Sequence, residues 1–509
     1  MRIDYALLPC HYIDNRTISP YYETLIRKRV YGKTSFLVAQ RRPTMRTSRR
    51  QVLGTGIGFA GSAVLLAACG TAAAPMEEAP QEEAPQAEAE EKPAAPMEAS
   101  EVVYWSLTSS WGSFNEEIGA ELVAEFNETF EAYNVTTVPK SGRDNRDTLP
   151  AAVAGGAAPD MAFQDRYIPK TMAVNGIVRD ITDMVKMSSI INTADMWERI
   201  LNDVTYRGHH FGLPWSADVR TLFHNNDALL EVGLDPENPP ATWDDFHEAI
   251  NLTFKKDGGS ITRLGFVPLW GSGGALAGWM IPYWQQGGSL TSADDSTSTM
   301  DNEMMVAAFE HTLRMYEAQD GYDAIGEFRG DIRPQQIFID GKLAMYFEIY
   351  DIPNFPDYRE GFAALSYGLT VEPIPPGGTP ATYGGGGSKV LPNASANPEG
   401  AFAFLEWLYD APQELRYNDE KGRLPVQKAI ANSPEWTKDD PLRLQASIEM
   451  AGAHWVVTAP GGIQILGLHV ALPRTIYQGE KTIQEAIAET NEQTQIVLDE
   501  TLANSVLDF

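Results

Sequence analysis

The chain has 509 residues, of which 43% are hydrophobic, 10% aromatic and 21% charged. This composition excludes wholesale disorder, collagen and coiled coil. Asp and Glu number 69 against 39 Lys and Arg, and the net charge of −30 argues against a nucleic-acid partner, because phosphate backbones would be repelled. The two cysteines, Cys10 and Cys69, provide no disulfide framework.

The segment from Met45 to Cys69 has the pattern of an export signal. Basic residues, among them the adjacent Arg49 and Arg50, precede an uncharged run at 52–68 that ends in Leu-Ala-Ala-Cys. The arginine pair resembles a twin-arginine export signal, and Leu-Ala-Ala-Cys resembles a bacterial lipobox, in which the cysteine is lipidated. We therefore interpret 45–69 as a signal peptide that makes Cys69 a lipid anchor; an uncleaved helix is the alternative.

The segments on either side of this signal are not expected to form part of the fold. Residues 1–44 lie before a signal that normally opens an exported chain, so we interpret them as an over-extended start, with Met45 as the initiator. Residues 70–100 are dominated by Ala, Glu and Pro. Such a segment buries too little apolar surface to offset its ordering entropy, which predicts a disordered acidic tether.

The folded body begins at Glu101 with a β-α-β pattern. Val102–Trp105 is a short apolar strand, and 113–116 has the spacing of a capping box before apolar residues at helical intervals. The next strand is predicted at 135–138. Consecutive parallel strands joined by a helix imply a sheet that is covered by helices, which is an α/β fold.

Further helices and one more strand are predicted along the rest of the chain. Helix starts are predicted at Thr242, Asn397 and Thr482, where a capping residue precedes an amphipathic run. Residues 343–349 alternate between two faces and predict another strand. No internal repeat of fixed period is present in the sequence.

A series of short motifs along the body resembles the extracellular solute-binding proteins of the maltose-binding type, the receptors of ABC sugar importers. Each motif alone is weak, but they occur in the order of that family and behind a lipobox and an acidic tether. The resemblance covers about 101–505. The motifs are Tyr104-Trp105-Ser106, Ala154 to Asp160, Asn175 to Asp180, Phe211-Gly-Leu-Pro-Trp215, Pro239 to Phe246, Gly341 to Met345, Tyr383 to Gly387, Asn397-Pro398-Glu399 and Gly422 to Val426.

The resemblance implies a two-lobe periplasmic-binding-protein fold of type II, with a ligand cleft between lobes joined by hinge crossings. Crossings are expected near 212–215, near 384–388 and near 430. Lobe one would comprise 101–212 plus 386–430. Lobe two would comprise 213–385 plus 431–509.

Sugar recognition needs aromatic rings for the apolar faces of a pyranose and polar groups for its hydroxyls. The aromatic candidates could instead be core residues, Asp218 and Arg220 a structural pair, and the glycines purely a hinge. From the resemblance and this chemistry, the expected ligand-binding residues are Trp105, Ser106, Asp165, Trp215, Asp218, Arg220, Trp270, Trp279, Tyr350, Tyr383, Gly385, Gly386 and Arg423.

Other chemistries fit the sequence less well. The run from Gly384 to Lys389 lacks the spacing of a phosphate loop, and His209-His210 has no partner motif for a metal. No nucleophile elbow is present. We therefore expect no catalytic residue, metal or cofactor.

The resulting hypothesis is an exported lipoprotein, anchored to the outer face of the cell membrane or periplasmic. As a monomer it would capture a sugar or oligosaccharide by lobe closure and deliver it to an ABC permease. A polyamine, a peptide or a glycerol-phosphate ester remains an alternative ligand. A secreted carbohydrate-active hydrolase remains an alternative function.

Overall fold

A computed structural model describes residues 12–13, 99–107, 117–267 and 271–508. The export signal with Cys69, most of the tether, the capping-box pattern at 113–116 and Trp270 lie outside these residues. Within the described ranges, no helix is both long and apolar enough to cross a membrane.

The described strands are numbered in chain order. They are β1 (Tyr12–Ile13), β2 (Ser100–Leu107), β3 (Tyr133–Lys140), β4 (Met161–Asp165), β5 (Thr205–Tyr206), β6 (His209–His210), β7 (Leu213–Asn225), β8 (Lys255–Asp257), β9 (Ser260–Val267), β10 (Leu343–Ile349), β11 (Tyr367–Thr370), β12 (Thr382–Val390) and β13 (Ala453–His454).

The described α-helices are numbered in the same way. They are α1 (Ile118–Thr129), α2 (Gly142–Ala154), α3 (Pro169–Val174), α4 (Thr182–Met187), α5 (Glu198–Asn202), α6 (Asn226–Glu231), α7 (Trp243–Thr253), α8 (Gly271–Gln285), α9 (Glu303–Glu317), α10 (Tyr322–Arg329), α11 (Pro334–Ile339), α12 (Arg359–Ala363), α13 (Pro398–Leu408), α14 (Ala411–Lys421), α15 (Lys428–Ala431), α16 (Pro434–Thr437), α17 (Pro441–Met450), α18 (Gly462–Tyr477) and α19 (Ile483–Ala503).

The opening β-α-β unit is confirmed. Strand β2 pairs in parallel with both β3 and β4, and α1 buries its apolar stripe of Ile118, Leu122, Val123 and Phe126. Phe126 packs edge-on against Phe404 of α13, with ring centroids 5.0 Å apart. The helical spacing seen in the sequence therefore marks the face that covers the sheet.

The predicted helix starts are also confirmed, and each has a physical cap. The Thr242 side chain accepts a hydrogen bond from the Asp245 amide, and Asn397 accepts one from the Gly400 amide. Thr482 and Glu485 form a reciprocal capping box at the start of α19. These side chains satisfy amides that lack a partner within the helix, which fixes where the helices begin.

Eleven of the described strands form one mixed sheet in the order β3-β2-β4-β12-β7-β10-β9-β8, with β11 on β7, β13 on β12 and β1 on β11. Strands β2, β3 and β4 are parallel, as are β9 and β10. Strand β12 is antiparallel to β4, and β7 is antiparallel to β10 and to β12. Two parallel groups are therefore connected through the antiparallel pair β7 and β12, as in an α/β fold.

Strand β7 is unusually long, and its two ends have different neighbours. Residues 213–219 pair with β12, whereas 220–224 pair with β10 and 222–225 with β11. Its central residues are thus held where the two groups of strands meet. In open α/β sheets this is where ligands bind, so the middle of β7 is the place to look for a site.

Candidate ligand-binding site

The antiparallel pair β7 and β12 has two distinct faces. Gly385 lies opposite Asp218 in the register, and successive residues of a strand point to opposite sides. Asp218 and Arg220 therefore project from one face, which we call the Asp218 face. A side-chain carbon added to Gly384 would lie 2.6 Å from the ring of Trp455 on the other side, which we call the Trp455 face.

The glycines of β12 are closely packed on both faces. A carbon added to Gly385 would lie 2.5 Å from Asp218 Oδ1 and 2.9 Å from Arg220 NH1. Gly386 has φ +133°, and an added carbon there would overlap the carbonyl oxygen of Ser216. Glycine is therefore required at Gly386, whereas a methyl group at Gly385 would meet only the ends of the Asp218 and Arg220 side chains. Gly386, predicted as ligand-binding, thus also has a structural reason to be glycine.

Asp218 and Arg220 form an ion pair at the centre of the Asp218 face. The two side chains are 13% and 25% exposed, so solvent reaches both. The guanidinium carbon of Arg220 lies 4.9 Å from the ring centre of Tyr383, a cation–π arrangement. Four of the predicted residues, Asp218, Arg220, Tyr383 and Gly385, are thus brought together.

Asp165 joins the same face from the end of β4. It lies opposite Gly387 in the pairing of β4 with β12, and its Oδ2 accepts a 3.4 Å hydrogen bond from the Tyr167 hydroxyl. Burial raises the pKa of Asp165, and the nearby carboxylate of Asp218 adds to this rise. The site therefore holds two neighbouring carboxylates from two different strands.

Arg423 reaches the site from the segment after α14, together with a carboxylate that was not predicted. Leu424 exchanges backbone hydrogen bonds with Ala217 of β7, and this contact places Arg423 beside the strand. Arg423 NH1 lies 3.9 Å from Asp351 Oδ2. Asp351 is 2% exposed, and neither of its carboxylate oxygens has a hydrogen-bond partner among the described residues.

The end of β10 brings Asp351 and Glu348 to this face. The Tyr350 amide donates to the Val219 carbonyl at 3.1 Å, which fixes the turn that carries Asp351. Burial raises the pKa of Asp351 to about 7 and also raises the pKa of Glu348. The alternating pattern of 343–349 predicted the strand, but only the tertiary contact with β7 shows that its end reaches the site.

Three of the predicted aromatic residues are enclosed by protein, and two of them are the tryptophans Trp215 and Trp279; the third is Tyr350. Trp215 is 1% exposed and packs against Tyr409 and Tyr417, with centroids 5.8 and 4.7 Å away. Trp279 is fully buried and stacks on Phe309 at 5.4 Å. Neither ring offers a face to a ligand in this conformation. Core burial is the physical reason, because a tryptophan that lines a core and one that lines a cleft look alike in sequence.

The remaining predicted residues have different surroundings. Trp105 is partly buried, with Lys140 Nζ 3.8 Å from its ring centre, and Ser106 is the next residue of β2. The Tyr350 side chain is 2% exposed. Trp270 lies outside the described residues. The structure therefore joins the polar candidates more closely than the aromatic ones.

The Trp455 face is held by buried charges that the sequence did not predict. The Arg166 guanidinium lies 3.8 Å from the Trp455 ring centre and donates to the Gly385 carbonyl oxygen. Its NH1 is 3.8 Å from Asp203 Oδ2. Burial lowers the pKa of Arg166 to about 10 and raises that of Asp203 to about 7. These contacts join residues that are far apart in sequence.

A pocket of about 660 Å³ opens on the Trp455 face. Three segments line most of it: residues 202–208, residues 288–295 and residues 454–458. Lys170 and Asp295 pair across it at 2.7 Å, and both side chains are largely buried. This pocket contains none of the predicted ligand-binding residues, so it is separate from the Asp218 face.

Comparison with known proteins identifies the family. The family model for bacterial extracellular solute-binding proteins matches residues 121–443. A binding protein of Brucella abortus is 25% identical over 291 residues, which cover 56% of this chain and 66% of that protein. The chain thus spans just under two thirds of the length of this relative. The sn-glycerol-3-phosphate-binding periplasmic protein UgpB of Brucella melitensis is 23% identical over 378 residues, covering 69% and 81% of the two chains.

A solved structure shows the same fold. The cyclic alpha-maltosyl-1,6-maltose binding protein from Arthrobacter globiformis superposes with a TM-score of 0.66 and 22% identity, covering 79% of this chain and 100% of that one. The two-lobe architecture expected from the sequence motifs is therefore confirmed. The chain belongs to the bacterial extracellular solute-binding protein family.

Proposed function

We propose that this protein captures a sugar or oligosaccharide outside the cytoplasm and delivers it to an ABC permease. The observation that carries the proposal is the convergence of Asp165, Asp218, Arg220 and Arg423 on one face of two crossing strands. These groups come from separate elements and remain partly accessible. Such convergence is typical of a binding site rather than of a structural core.

The mixture of charges favours a neutral, polyhydroxylated ligand. Carboxylates accept hydrogen bonds from hydroxyl groups, and guanidinium groups donate to hydroxyl oxygens. The carboxylates are those of Asp165, Asp218 and Asp351. The guanidinium groups are those of Arg220 and Arg423. A sugar can use both kinds, and the Arthrobacter globiformis protein of the same fold is named for a maltosyl sugar.

Capture would proceed by closure of two lobes about β7 and β12. These strands pair with both parallel groups, so a small change in their backbone would rotate one group against the other. We propose lobe one as 101–212 plus 386–430 and lobe two as 213–385 plus 431–509. A third crossing near 430 completes the hinge.

Delivery would take place at the membrane surface. We propose that Cys69 carries a lipid after twin-arginine export and that residues 70–100 tether the folded body to the outer face of the membrane. The protein would act as a monomer and would do no chemistry on its ligand. An ABC permease is the partner, and it would accept the closed form.

A phosphate ester is a second candidate ligand, because a relative is named for sn-glycerol-3-phosphate binding and two arginines lie at the site. The carboxylates of Asp165, Asp218 and Asp351 oppose it, since they would repel a phosphate dianion. A polyamine carries no hydrogen-bond acceptor for the arginines, since its amines are protonated. A neutral sugar is consistent with all of these groups.

A ligand screen tests the proposal. The full chain would be melted with maltose, maltotriose, mannobiose and tagatose, and in parallel with glycerol phosphodiesters and spermidine. A ligand that binds only the folded state stabilises it, by about 2.7 kcal/mol at a hundredfold excess over its Kd, and this stabilisation raises the melting temperature. A saturable shift with a sugar and no hydrolysis product supports the proposal. Shifts confined to phosphodiesters or spermidine, or turnover of a glycan, would overturn it.

A further inference from the structure

The pocket on the Trp455 face contains a carboxylate with unused acceptor capacity. Asp203 lines this pocket, is 6% exposed, and its Oδ2 has no hydrogen-bond partner among the described residues. The nearest cation, Arg166 NH1, is 3.8 Å away, which is too long for a hydrogen bond. Oδ2 itself is enclosed, but the Asp203 side chain as a whole keeps 8% exposure, so a donor that enters the pocket would stabilise this carboxylate.

A second charged residue of this pocket, Arg199, has no ion-pair partner among the described residues. Its NH1 contacts His454 Nε2, and burial lowers the pKa of His454 to about 3, so the imidazole is neutral and accepts this contact. No carboxylate of the described residues lies within ion-pair distance of Arg199, which is exposed to solvent and interacts electrostatically with the neighbouring Glu198.

The two residues are placed to act on one molecule. Arg199 lies in α5 and Asp203 is the residue that ends it, so they are four positions apart and share a helix face. The other charged pair of the pocket, Lys170 and Asp295, is already joined at 2.7 Å. Two further charged residues line the pocket and are also engaged: Arg207 lies over the Tyr206 ring at 5.2 Å, and Asp294 accepts from the Ser292 and Ser296 hydroxyls. Arg199 and Asp203 are therefore the lining residues we assign to a ligand that carries both charges.

An aromatic wall completes the pocket. The rings of Trp284 and His454 are stacked with centroids 4.9 Å apart and an interplanar angle of 12°. Trp284 also lines the pocket, as do Tyr206 and Trp455. A small apolar side chain of a ligand can lie against this wall while its charged groups face α5. The volume of about 660 Å³ is ample for such a molecule.

We propose that this pocket is a second binding site, specific for a small zwitterion of the α-amino acid class. Its ammonium group donates to Asp203, and its carboxylate accepts from Arg199. The site is separate from the sugar site on the Asp218 face and does not depend on it. Because β12 lies between them, occupation of the second site is positioned to influence closure.

Calorimetric titration of the full chain tests this proposal. The probes are glycine, L-alanine, L-leucine and L-phenylalanine, each at up to about 10 mM, where a site of millimolar affinity is largely filled. Propylamine and propionate serve as ligands that carry only one of the two charges. Saturable binding of an amino acid is expected, with either single-charge analogue at least about tenfold weaker, because each loses one charge-assisted contact.

Two variants of the pocket and two matched controls locate the site. Asp203→Asn and Arg199→Gln should each weaken amino-acid binding at least about tenfold. Asp244→Asn and Arg314→Gln remove an exposed ion pair elsewhere and should leave binding unchanged. Circular dichroism at the titration temperature confirms that each variant is folded.

The outcomes separate this site from the sugar site. Binding that survives both pocket variants would overturn the proposal, as would the absence of binding by every amino acid at the highest concentration. If amino-acid binding is lost in Arg220→Met but retained in Arg199→Gln, the amino-acid site lies on the Asp218 face, which would also overturn the proposal. Failure to bind any sugar would contradict the proposed function alone.

Discussion

The two faces of β12 use charged residues in opposite ways. On the Asp218 face, Asp218 and Arg220 are partly exposed, and Asp351 has no hydrogen-bond partner within the described ranges. On the Trp455 face, Arg166 is 1% exposed; it lies against the Trp455 ring, donates to a backbone carbonyl and is 3.8 Å from Asp203 without a hydrogen bond to it. One face keeps charges within reach of a solute, and the other uses them to hold the crossing strands together.

This contrast teaches that proximity of charges does not by itself mark a binding site. The Lys170–Asp295 pair is shorter, at 2.7 Å, than the 3.9 Å between Arg423 and Asp351, yet its two charges already satisfy each other. The Asp218 face differs from this pair because Asp351 there has carboxylate oxygens without a hydrogen-bond partner among the described residues. The same criterion identifies Asp203 in the pocket on the Trp455 face as a candidate for a second ligand.

The largest expected effect is a difference in stability loss between alanine substitutions at two adjacent glycines, Gly386 and Gly385. Gly386→Ala places a carbon on the Ser216 carbonyl at φ +133°, so the backbone must move. We expect a loss of more than about 3 kcal/mol in the free energy of unfolding, measured by urea denaturation. Gly385→Ala meets only the ends of the Asp218 and Arg220 side chains and should cost about 1 kcal/mol. Equal losses for both would refute the difference between the faces.

The next comparison replaces one arginine on each face with methionine. Arg166→Met leaves Asp203 buried without its cation and should lower the free energy of unfolding by about 3 kcal/mol. Arg220→Met removes a partly exposed pair and should change it by less than about 1 kcal/mol, while sugar affinity falls at least tenfold. A larger stability loss for Arg220→Met than for Arg166→Met would contradict the assignment.

These predictions also show what the sequence could supply. The capping residues and the apolar stripe of α1 are local patterns, and the structure has them where they were predicted. Asp218, Arg220 and Gly385 could be grouped because two motifs place them on neighbouring strands. Periodicity could not tell that Trp215 and Trp279 point into the core. No local pattern links Arg166 with Asp203 or with Gly385, since these contacts exist only after the strands cross.

The buried carboxylate of Asp351 should make the free energy of unfolding depend on pH. Burial raises its pKa from 3.8 to about 7, so the folded chain binds the proton more tightly than the unfolded chain. Its contribution to stability is complete below pH 4 and is lost as the pH rises through about 7. Asp351→Asn should therefore be more stable than the wild type at pH 8, by about 2 kcal/mol, and this advantage should shrink at pH 5. Urea unfolding at the two pH values measures it, and an advantage independent of pH would exclude an ionised Asp351.

The smallest expected effect concerns the buried pair on the Trp455 face. Lys170→Met removes the partner of Asp295 and should lower the free energy of unfolding by about 1 kcal/mol, because Asp295 also accepts from the Thr291 hydroxyl. Sugar affinity should stay within about twofold, since Lys170 is not on the Asp218 face. Loss of sugar binding in this variant would mean that the two faces are not separable.

The most direct test of the account is a calorimetric titration of the full chain with the sugars of the screen, on the wild type, Arg220→Met and Lys170→Met in parallel. We expect saturable binding of at least one sugar by the wild type and by Lys170→Met, and a loss of at least about tenfold in affinity in Arg220→Met. Equal binding by the wild type and Arg220→Met, or loss only in Lys170→Met, would contradict a sugar site on the Asp218 face.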